Sequence, residues 1–355
     1  MSRHFHVCDV ARRSGISRYA QDFHQAVLGP LGYELIGPAA LAARLPHVPS
    51  DAVFHFQMGA AQFEERIVLS RTLDAGFTRV DATLHDPPFL TFPFYPFRSP
   101  HLMRLSRVFD WALGSFGVQR RTIARLRTAF VLSEKGKAIL VGQGARNITH
   151  IPHIIRAEDI SWKRETTEED LLYFGFIGRG KGLEYALALH ERLLSYNPRL
   201  KLHVIGEATG AGEKAYFRAL RARYARQTVF HGYVNDEQLD PIFARTRHVV
   251  LPFKPYRYFT PMSGSVLNAL RRGRVVWTTP VNAIPELIRD GDNGFFLEGD
   301  LDADAARLHD VSHQPDRLEA VSKAAIASAV RLANYPYREV LSRSSSSDQG
   351  GTFAE

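Results

Sequence analysis

Apolar positions along this chain fall into short runs separated by segments with a helical period, and the alternation occurs twice. In the first half, Phe5 to Val10, Ala52 to Phe56, Arg79 to His85, Ala129 to Ser133 and Ile148 to Ile151 read as strands. Pro152, which cannot donate to a sheet ladder, stops the last of them. Ser17 is placed to cap a helix running to Leu28, with Tyr19, Phe23 and Val27 four residues apart on one face. In the second half the strands are Leu171 to Ile177, Leu200 to Ile205, Thr228 to Phe230, His248 to Leu251 and Val275 to Thr278. Between them Leu183 to Tyr196, Glu213 to Arg226, Asp236 to Ala244 and Ser263 to Arg272 read as helices, with Pro241 inside the third.

Helices alternating with strands imply crossovers and parallel sheets, and two such sets predict two doubly wound domains with ligands at the strand ends. We place a first domain at 1–158, a second at 159–330 and a C-terminal segment at 331–355. Arg156 to Asp170 is charged, lacks an apolar period and reads as the linker. From Ser342 onward, with Ser344 to Ser347 and Gly350-Gly351, the chain reads as disordered.

One of these strands runs into Gly178-Arg179-Gly180-Lys181-Gly182 and then a helix. Backbone N–H groups and the positive end of a helix face an anion at such a turn, and Arg or Lys adds full charge. Ser263-Gly264 is a second turn of this kind, so the pair predicts a diphosphate held from two sides.

The chain has 355 residues, 45% hydrophobic and 23% charged, the composition of a globular protein. A formal charge of +8 favours acidic partners: nucleic acid, anionic membrane or phosphorylated small molecules. No run of about 18 apolar residues is present, as a membrane span would need. Met1-Ser2-Arg3-His4-Phe5-His6 lacks the apolar core of a signal peptide. The single cysteine, Cys8, excludes an intrachain disulfide and a cysteine-rich metal cluster, and a cytoplasmic location is expected. Histidines with metal-ligand spacing and a G-x-S-x-G elbow are both missing, so neither a metal site nor a serine hydrolase is expected.

The order and spacing of the motifs resemble the retaining glycosyltransferases of family 4. In the first half the resemblance rests on Ser14-Gly15-Ile16-Ser17-Arg18-Tyr19, Leu84-His85-Asp86, Val131-Leu132-Ser133 and Ile151-Pro152-His153. It is strongest from Leu171 to Glu298, which also contains His231-Gly232-Tyr233-Val234, Gly273, Pro285-Glu286 and Asp290-Gly291-Asp292-Asn293-Gly294. The resemblance implies an α/β protein of GT-B fold, two Rossmann-like domains facing a cleft. It implies a nucleotide-sugar donor in the second domain, an acceptor in the first, retention at the anomeric carbon, and no metal or other cofactor. The chain departs from the family where two glutamates with seven residues between them are usual: their places fall near Thr260 and Asn268. A Tyr…Ser-Gly version of that loop, as in Tyr256 through Gly264, fits better.

Arg179 and Lys181 are expected to stabilise the negative charge that builds on a departing nucleoside diphosphate, against the plain reading of a solvated basic turn. Gly15, Gly178, Ser263 and Gly264 would let backbone groups reach the phosphates, or are ordinary turns and caps. His85 and Asp86 end a strand and are expected to meet the transferred sugar or an acceptor hydroxyl; the plain reading of His85 is a satisfied, partly buried ring. Gly232 and Tyr233 are candidates for the base pocket, and Asn268 for a ribose hydroxyl, while Glu286 reads as a helix-start residue.

Phe92 to Arg127 carries Phe92, Phe94, Tyr95, Phe97, Phe109, Trp111 and Phe116 with Arg98, Arg104, Arg107, Arg120, Arg121, Arg125 and Arg127, and only Asp110 as an acid. Such a surface suits the anionic inner face of a membrane and a lipid-linked acceptor, or is a core helix with a solvated rim. The expected partners are a nucleotide-sugar donor, a saccharide or lipid-linked acceptor and an anionic membrane surface. The alternatives are a non-catalytic sugar-nucleotide or glycan binder, a sugar-nucleotide isomerase of the same fold, and, last because no nucleic-acid module is present, a nucleic-acid binder.

Overall fold

The computed structural model describes residues 3–12, 14–95, 105, 108–110, 112–161, 170–225, 227–257 and 259–346. The chain divides into two compact units. The first comprises Met1–Arg156, Tyr258–Met262 and Tyr335–Glu355, and the second Ala157–Arg257 and Ser263–Asn334. Phe97, Arg98, Arg104, Arg107 and Trp111 of the basic aromatic stretch lie outside the described residues, as do 162–169 of the linker.

The first unit is a six-stranded parallel sheet of β1 (His4–Val7), β2 (Tyr33–Ile36), β3 (Val53–Met58), β4 (Val80–Leu84), β5 (Thr128–Val131) and β6 (Ile148–His150). Its order is β2-β1-β3-β4-β5-β6. Every residue of β3, β4 and β5 is buried, which is why those strands read as continuous runs rather than alternating ones. Phe5, Phe54, Phe56, Val80 and Ala82 form the centre of the core. Helices α1 (Gly15–Phe23), α2 (Pro38–Arg44), α3 (Phe63–Asp74), α4 (Ser115–Ala124) and α5 (Glu134–Gly142) connect the strands. Ser14, rather than Ser17, caps α1, accepting the Ser17 N–H. Ser17 lies inside the helix and its hydroxyl donates to the Asp9 carbonyl at 2.9 Å. Strand β2 was not legible in the sequence, because only its last residue, Ile36, is buried.

The second unit has β7 (Leu171–Phe174), β8 (Leu202–Ile205), β9 (Thr228–Gly232), β10 (His248–Leu251), β11 (Val275–Thr278) and β12 (Phe295–Phe296), all parallel. They are ordered β12-β11-β10-β7-β8-β9. Trp277, stacked on Phe295, anchors its core with Tyr173, Leu187 and Val250. The helices are α6 (Leu183–Leu193), α7 (Ala211–Arg223), α8 (Asp236–Arg245), α9 (Gly264–Leu270), α10 (Leu301–Ser312) and α11 (Pro315–Ala333). Helix α8 survives Pro241 because an Asn235–Gln238 capping box fixes its start and Leu239 and Phe243 are buried. The linker is not free of structure: Ala157–Asp159 form a 3₁₀ turn, and Asp159 pairs with Arg271 at 2.7 Å.

The C-terminal segment returns to the first unit as α12 (Tyr337–Ser346). Tyr337 and Leu341 are buried against Phe23, Val27 and Leu28. The expected disorder from Ser342 is therefore corrected as far as Ser346: the buried side chains at Tyr337 and Leu341 hold a helix whose end is polar. Residues 347–355 lie outside the described residues.

Candidate functional site

In an open parallel sheet a ligand site forms at the carboxyl ends of the strands, where neighbouring connections leave in opposite directions. In the first unit that point lies between β1 and β3. Ile16, next to Gly15, meets His85 and Asp86 there around Gly59. A Cβ built on Gly59 would lie 2.6 Å from Cδ1 of Ile16, 2.9 Å from Oδ2 of Asp86 and 3.0 Å from Cβ of His85, so a larger residue would displace these side chains. Asp86 accepts the Ala60 N–H at 2.7 Å and so steadies the loop after β3. Nε2 of His85 lies 2.9 Å from the amide oxygen of Gln57, which accepts from it, and the Tyr19 ring packs edge-on against His85 at 4.7 Å. Burial pushes the His85 pKa down to about 3, with His153 and His55 adding to the effect. His85 is a neutral ring, so it cannot offset transition-state charge as a cation.

In the second unit the same point lies between β7 and β10. Three glycines allow the strand ends to crowd together. A Cβ on Gly206 would stand 1.9 Å from the Gly175 carbonyl oxygen, one on Gly175 2.7 Å from Oγ of Ser265, and one on Gly182 1.8 Å from the Pro252 carbonyl oxygen. Gly206 donates to the Gly232 carbonyl at 2.8 Å, which brings the β9 end into the same row. Gly178 to Lys181 form a 3₁₀ turn before α6, and Lys254 donates to the Gly180 carbonyl at 3.0 Å. Helix α6 begins at Gly182 with no side-chain cap, leaving its first N–H groups without that partner.

The two cations of the turn part company. Lys181 stands over the rings of Phe253 and Tyr256, 5.5 and 5.8 Å from their centroids. Arg179 lies over Tyr216 at 4.7 Å, and its backbone N–H donates to Glu213 at 3.1 Å. Ser263 caps α9, accepting from Val266 at 3.3 Å, and Gly264 is the first residue of that seven-residue helix. Tyr233 is exposed. Asn268 donates to the Gly264 carbonyl at 2.9 Å, and its side-chain oxygen accepts from Arg272, just past the end of α9, at 3.0 Å. A ribose hydroxyl would share this side chain with those two partners. Thr260, the other place where the family carries a glutamate, is buried in the first unit, its N–H donating to the Pro87 carbonyl at 2.9 Å.

Sequence reading missed Gly59, Gly175, Gly206, Gln57 and Glu213. The glycines had a signal, since each directly follows an apolar strand run. Gln57 and Glu213 had none, because nothing local distinguishes them from other polar residues. Among the described residues no group of three or more His, Cys, Asp or Glu is placed to hold a metal ion.

The arrangement in the second unit is matched by sequence. Residues 168–313 fit the family model described as Glycosyl transferases group 1. That matched segment falls mostly within the second unit. No curated protein matches the chain by sequence. Among solved structures, HepE of Anabaena in complex with UDP and glucose superposes with a TM-score of 0.71 at 14% identity, covering 98% of this chain and 100% of HepE. Sucrose-phosphate synthase of Thermosynechococcus elongatus gives 0.70 at 14% identity, covering 97% of this chain and 98% of that one. A TarM variant of S. aureus gives 0.64 at 13% identity, covering 85% of this chain, which spans 57% of the TarM chain. The chain thus has the two-unit GT-B fold, and its similarity to group 1 glycosyl transferases lies mostly in the second unit.

The basic aromatic stretch is divided. Arg127 forms a buried, two-pronged ion pair with Asp81, and Arg125 pairs with Asp74 at 2.8 Å, so these two belong to the first unit's structure. Leu105, Val108, Phe109, Leu113, Val118 and Val141 are exposed, as are Arg120 and Arg121. Among the described residues no helix is long and apolar enough to cross a membrane.

Proposed function

We propose that the protein is a retaining glycosyltransferase, of the family 4 kind, that moves a hexose from a nucleotide-sugar to a saccharide or lipid-linked acceptor without a metal or other cofactor. One observation carries this reading. The glycine-lined, cationic end of the β7–β10 pair falls inside the segment that fits the group 1 glycosyl transferase model. There the uncapped α6 start and Lys181 supply fixed positive potential where a leaving diphosphate gains charge. HepE was solved with UDP-glucose and TarM with UDP, which favours a uridine diphosphate donor. The donor phosphate itself can take the acceptor's proton, so no protein base is required. Thermal shift against uridine, guanosine and adenosine diphosphate sugars tests the reading, because a bound donor stabilises the folded state by mass action. Absence of stabilisation by every donor would remove it.

A second reading has its own observation. With Asn268 bonded to Gly264 and Arg272, and Thr260 buried in the first unit, no carboxylate stands at either family glutamate place. A donor-binding protein without turnover would show stabilisation by a donor and no transfer to any acceptor.

The exposed apolar side chains from Leu105 to Val141, with Arg120 and Arg121, form the surface we assign to an anionic membrane. Such docking would bring a lipid-linked acceptor to the first unit. Co-sedimentation with vesicles containing anionic lipid, lost with Arg120→Glu and Arg121→Glu, is the corresponding measurement.

A further inference from the structure

Three side chains form a line of hydrogen bonds inside the first unit. Nε2 of Gln57 lies 2.9 Å from Nε2 of His6, and Oε1 of Gln57 lies 2.9 Å from Nε2 of His85. Gln57 and His6 are fully buried, and His85 is buried but for its edge at the strand end. An amide oxygen only accepts and an amide nitrogen only donates. With the amide placed this way, Nε2 of His85 carries the proton and Nε2 of His6 does not. While both rings stay neutral, Nδ1 of His85 is a bare acceptor, and no described residue bonds to it. Turning the amide over would swap both roles, so the amide and the two rings are set together.

The surroundings keep the rings neutral and in place. Burial lowers the pKa of both His85 and His6. The groups facing His85 are His55 from β3, His153 beyond β6, Tyr19 from α1 and the adjoining Asp86. The Tyr19 ring meets His85 on one side and His153 on another, at 4.7 and 4.8 Å, which restricts rotation of the His85 ring.

We propose that Gln57, backed by His6, is a positioning residue that fixes His85 as the neutral Nε2–H tautomer, so that Nδ1 accepts a hydrogen bond from a hydroxyl of the bound sugar. The inference rests on the reading of His85 as a group that meets a sugar. It assigns that contact a direction: the sugar hydroxyl donates and the ring accepts.

The test uses the full-length protein labelled with ¹⁵N-histidine, with His85 assigned by the signals lost in His85→Ala. Long-range ¹H–¹⁵N correlations should show His85 as the neutral Nε2–H tautomer from pH 8 to pH 5.5. Gln57→Met should give a mixture of tautomers. Gln57→Glu should keep Nε2–H but bring protonation of His85 into that range, because a carboxylate stabilises the imidazolium. With a donor that the wild type uses, kcat of Gln57→Glu should then fall about tenfold between pH 8 and pH 5.5 relative to wild type, since the acceptor nitrogen is lost on protonation. KM for the donor should change much less. A wild-type Nδ1–H tautomer, or a Gln57→Met spectrum identical to wild type, overturns the proposal; the first needs no variant to fold. Donor turnover by Gln57→Glu with an unshifted pH profile also overturns it. If the wild type transfers sugar from no donor, the functional reading fails while the tautomer measurement stands or falls separately.

Discussion

Both units place six parallel strands in one sheet, yet they differ in order and in what lines the strand ends. Numbered within each unit, the first runs 2-1-3-4-5-6 and the second 3-2-1-4-5-6, the arrangement of a dinucleotide-binding fold. At its switch point the first unit gathers neutral hydrogen-bonding groups: His85, Gln57 and His6 in a line, with Asp86 on a backbone amide. The second gathers glycines and cations: Gly175, Gly182 and Gly206 in close backbone approach, with Lys181 on aromatic faces. One architecture supplies two crevices, and the side chains give each a different chemistry. The first suits directional recognition of hydroxyls, and the second suits an anion.

Acid should separate the units most strongly. His6, His24, His55, His85 and His153 of the first unit all have pKa values lowered by burial, to about 3 for His55 and His85 and about 4 for His153. In the second unit His190, His231 and His248 are lowered, His248 to about 3. A depressed histidine contributes its full stability above the unfolded value near 6.5, and loses it as the pH falls from there toward the folded value. At pH 5 each fully buried ring costs about 2 kcal/mol. Hydrogen exchange followed by mass spectrometry should therefore show peptides of β3 and β4 losing protection before those of β10 and β11 as the pH is lowered from 7.5 to 5. Equal loss in both sheets would break the contrast.

The next effect also belongs to the first unit. The Arg127–Asp81 pair ties β5 to β4 with both side chains buried. Asp81→Asn leaves the guanidinium without a buried counter-charge, and should destabilise the first unit by about 3–5 kcal/mol. Chemical denaturation should show the loss in first-unit probes, with the environment of Trp277 in the second unit retained.

The contrast explains what could be read beforehand. The strands at the centre of each sheet were legible because burial on both faces makes them mostly apolar, as in Val53–Met58 and His248–Leu251. The edge strands Tyr33–Ile36 and Phe295–Phe296 were not, being half-buried or very short. Gly178, Arg179 and Lys181 stand out in the sequence because a glycine-rich basic turn is a local pattern. The split between Arg179, turned to Tyr216, and Lys181, turned to Phe253, is a tertiary fact that no local pattern contains. The bonds of Asn268 to Gly264 and Arg272, one helical turn to either side, are local, yet a short polar side chain on a helix can turn to its own backbone or outward, and the sequence does not say which.

Lys181→Ala sharpens the contrast from the second unit. Removing a charged donor from a phosphate costs about 1.5–3 kcal/mol, or roughly tenfold to a hundredfold in affinity. Nucleoside diphosphate binding by calorimetry should weaken by that factor, while the first unit's exchange protection stays as in wild type. An unchanged affinity would detach Lys181 from the anion.

The smallest expected effect concerns Glu213, which already occupies part of the crevice assigned to the anion. Its carboxylate accepts the Arg179 N–H at 3.1 Å, and a Cβ on Gly178 would stand 3.7 Å from the same oxygen. A diphosphate approaching that turn meets a negative charge and must compete for the amide. Glu213→Gln retains an oxygen that can accept from Arg179 but removes the repulsion. For a partly exposed pair of like charges this is worth about 0.5–1 kcal/mol, a twofold to fivefold tightening of nucleoside diphosphate binding that shrinks as salt is raised. Glu213→Ala should tighten binding by a similar factor or less, because it also frees the Arg179 side of the turn to move. If Glu213→Gln weakens binding instead, the carboxylate orients the turn for the ligand, and the anion must enter from the Lys181 side alone.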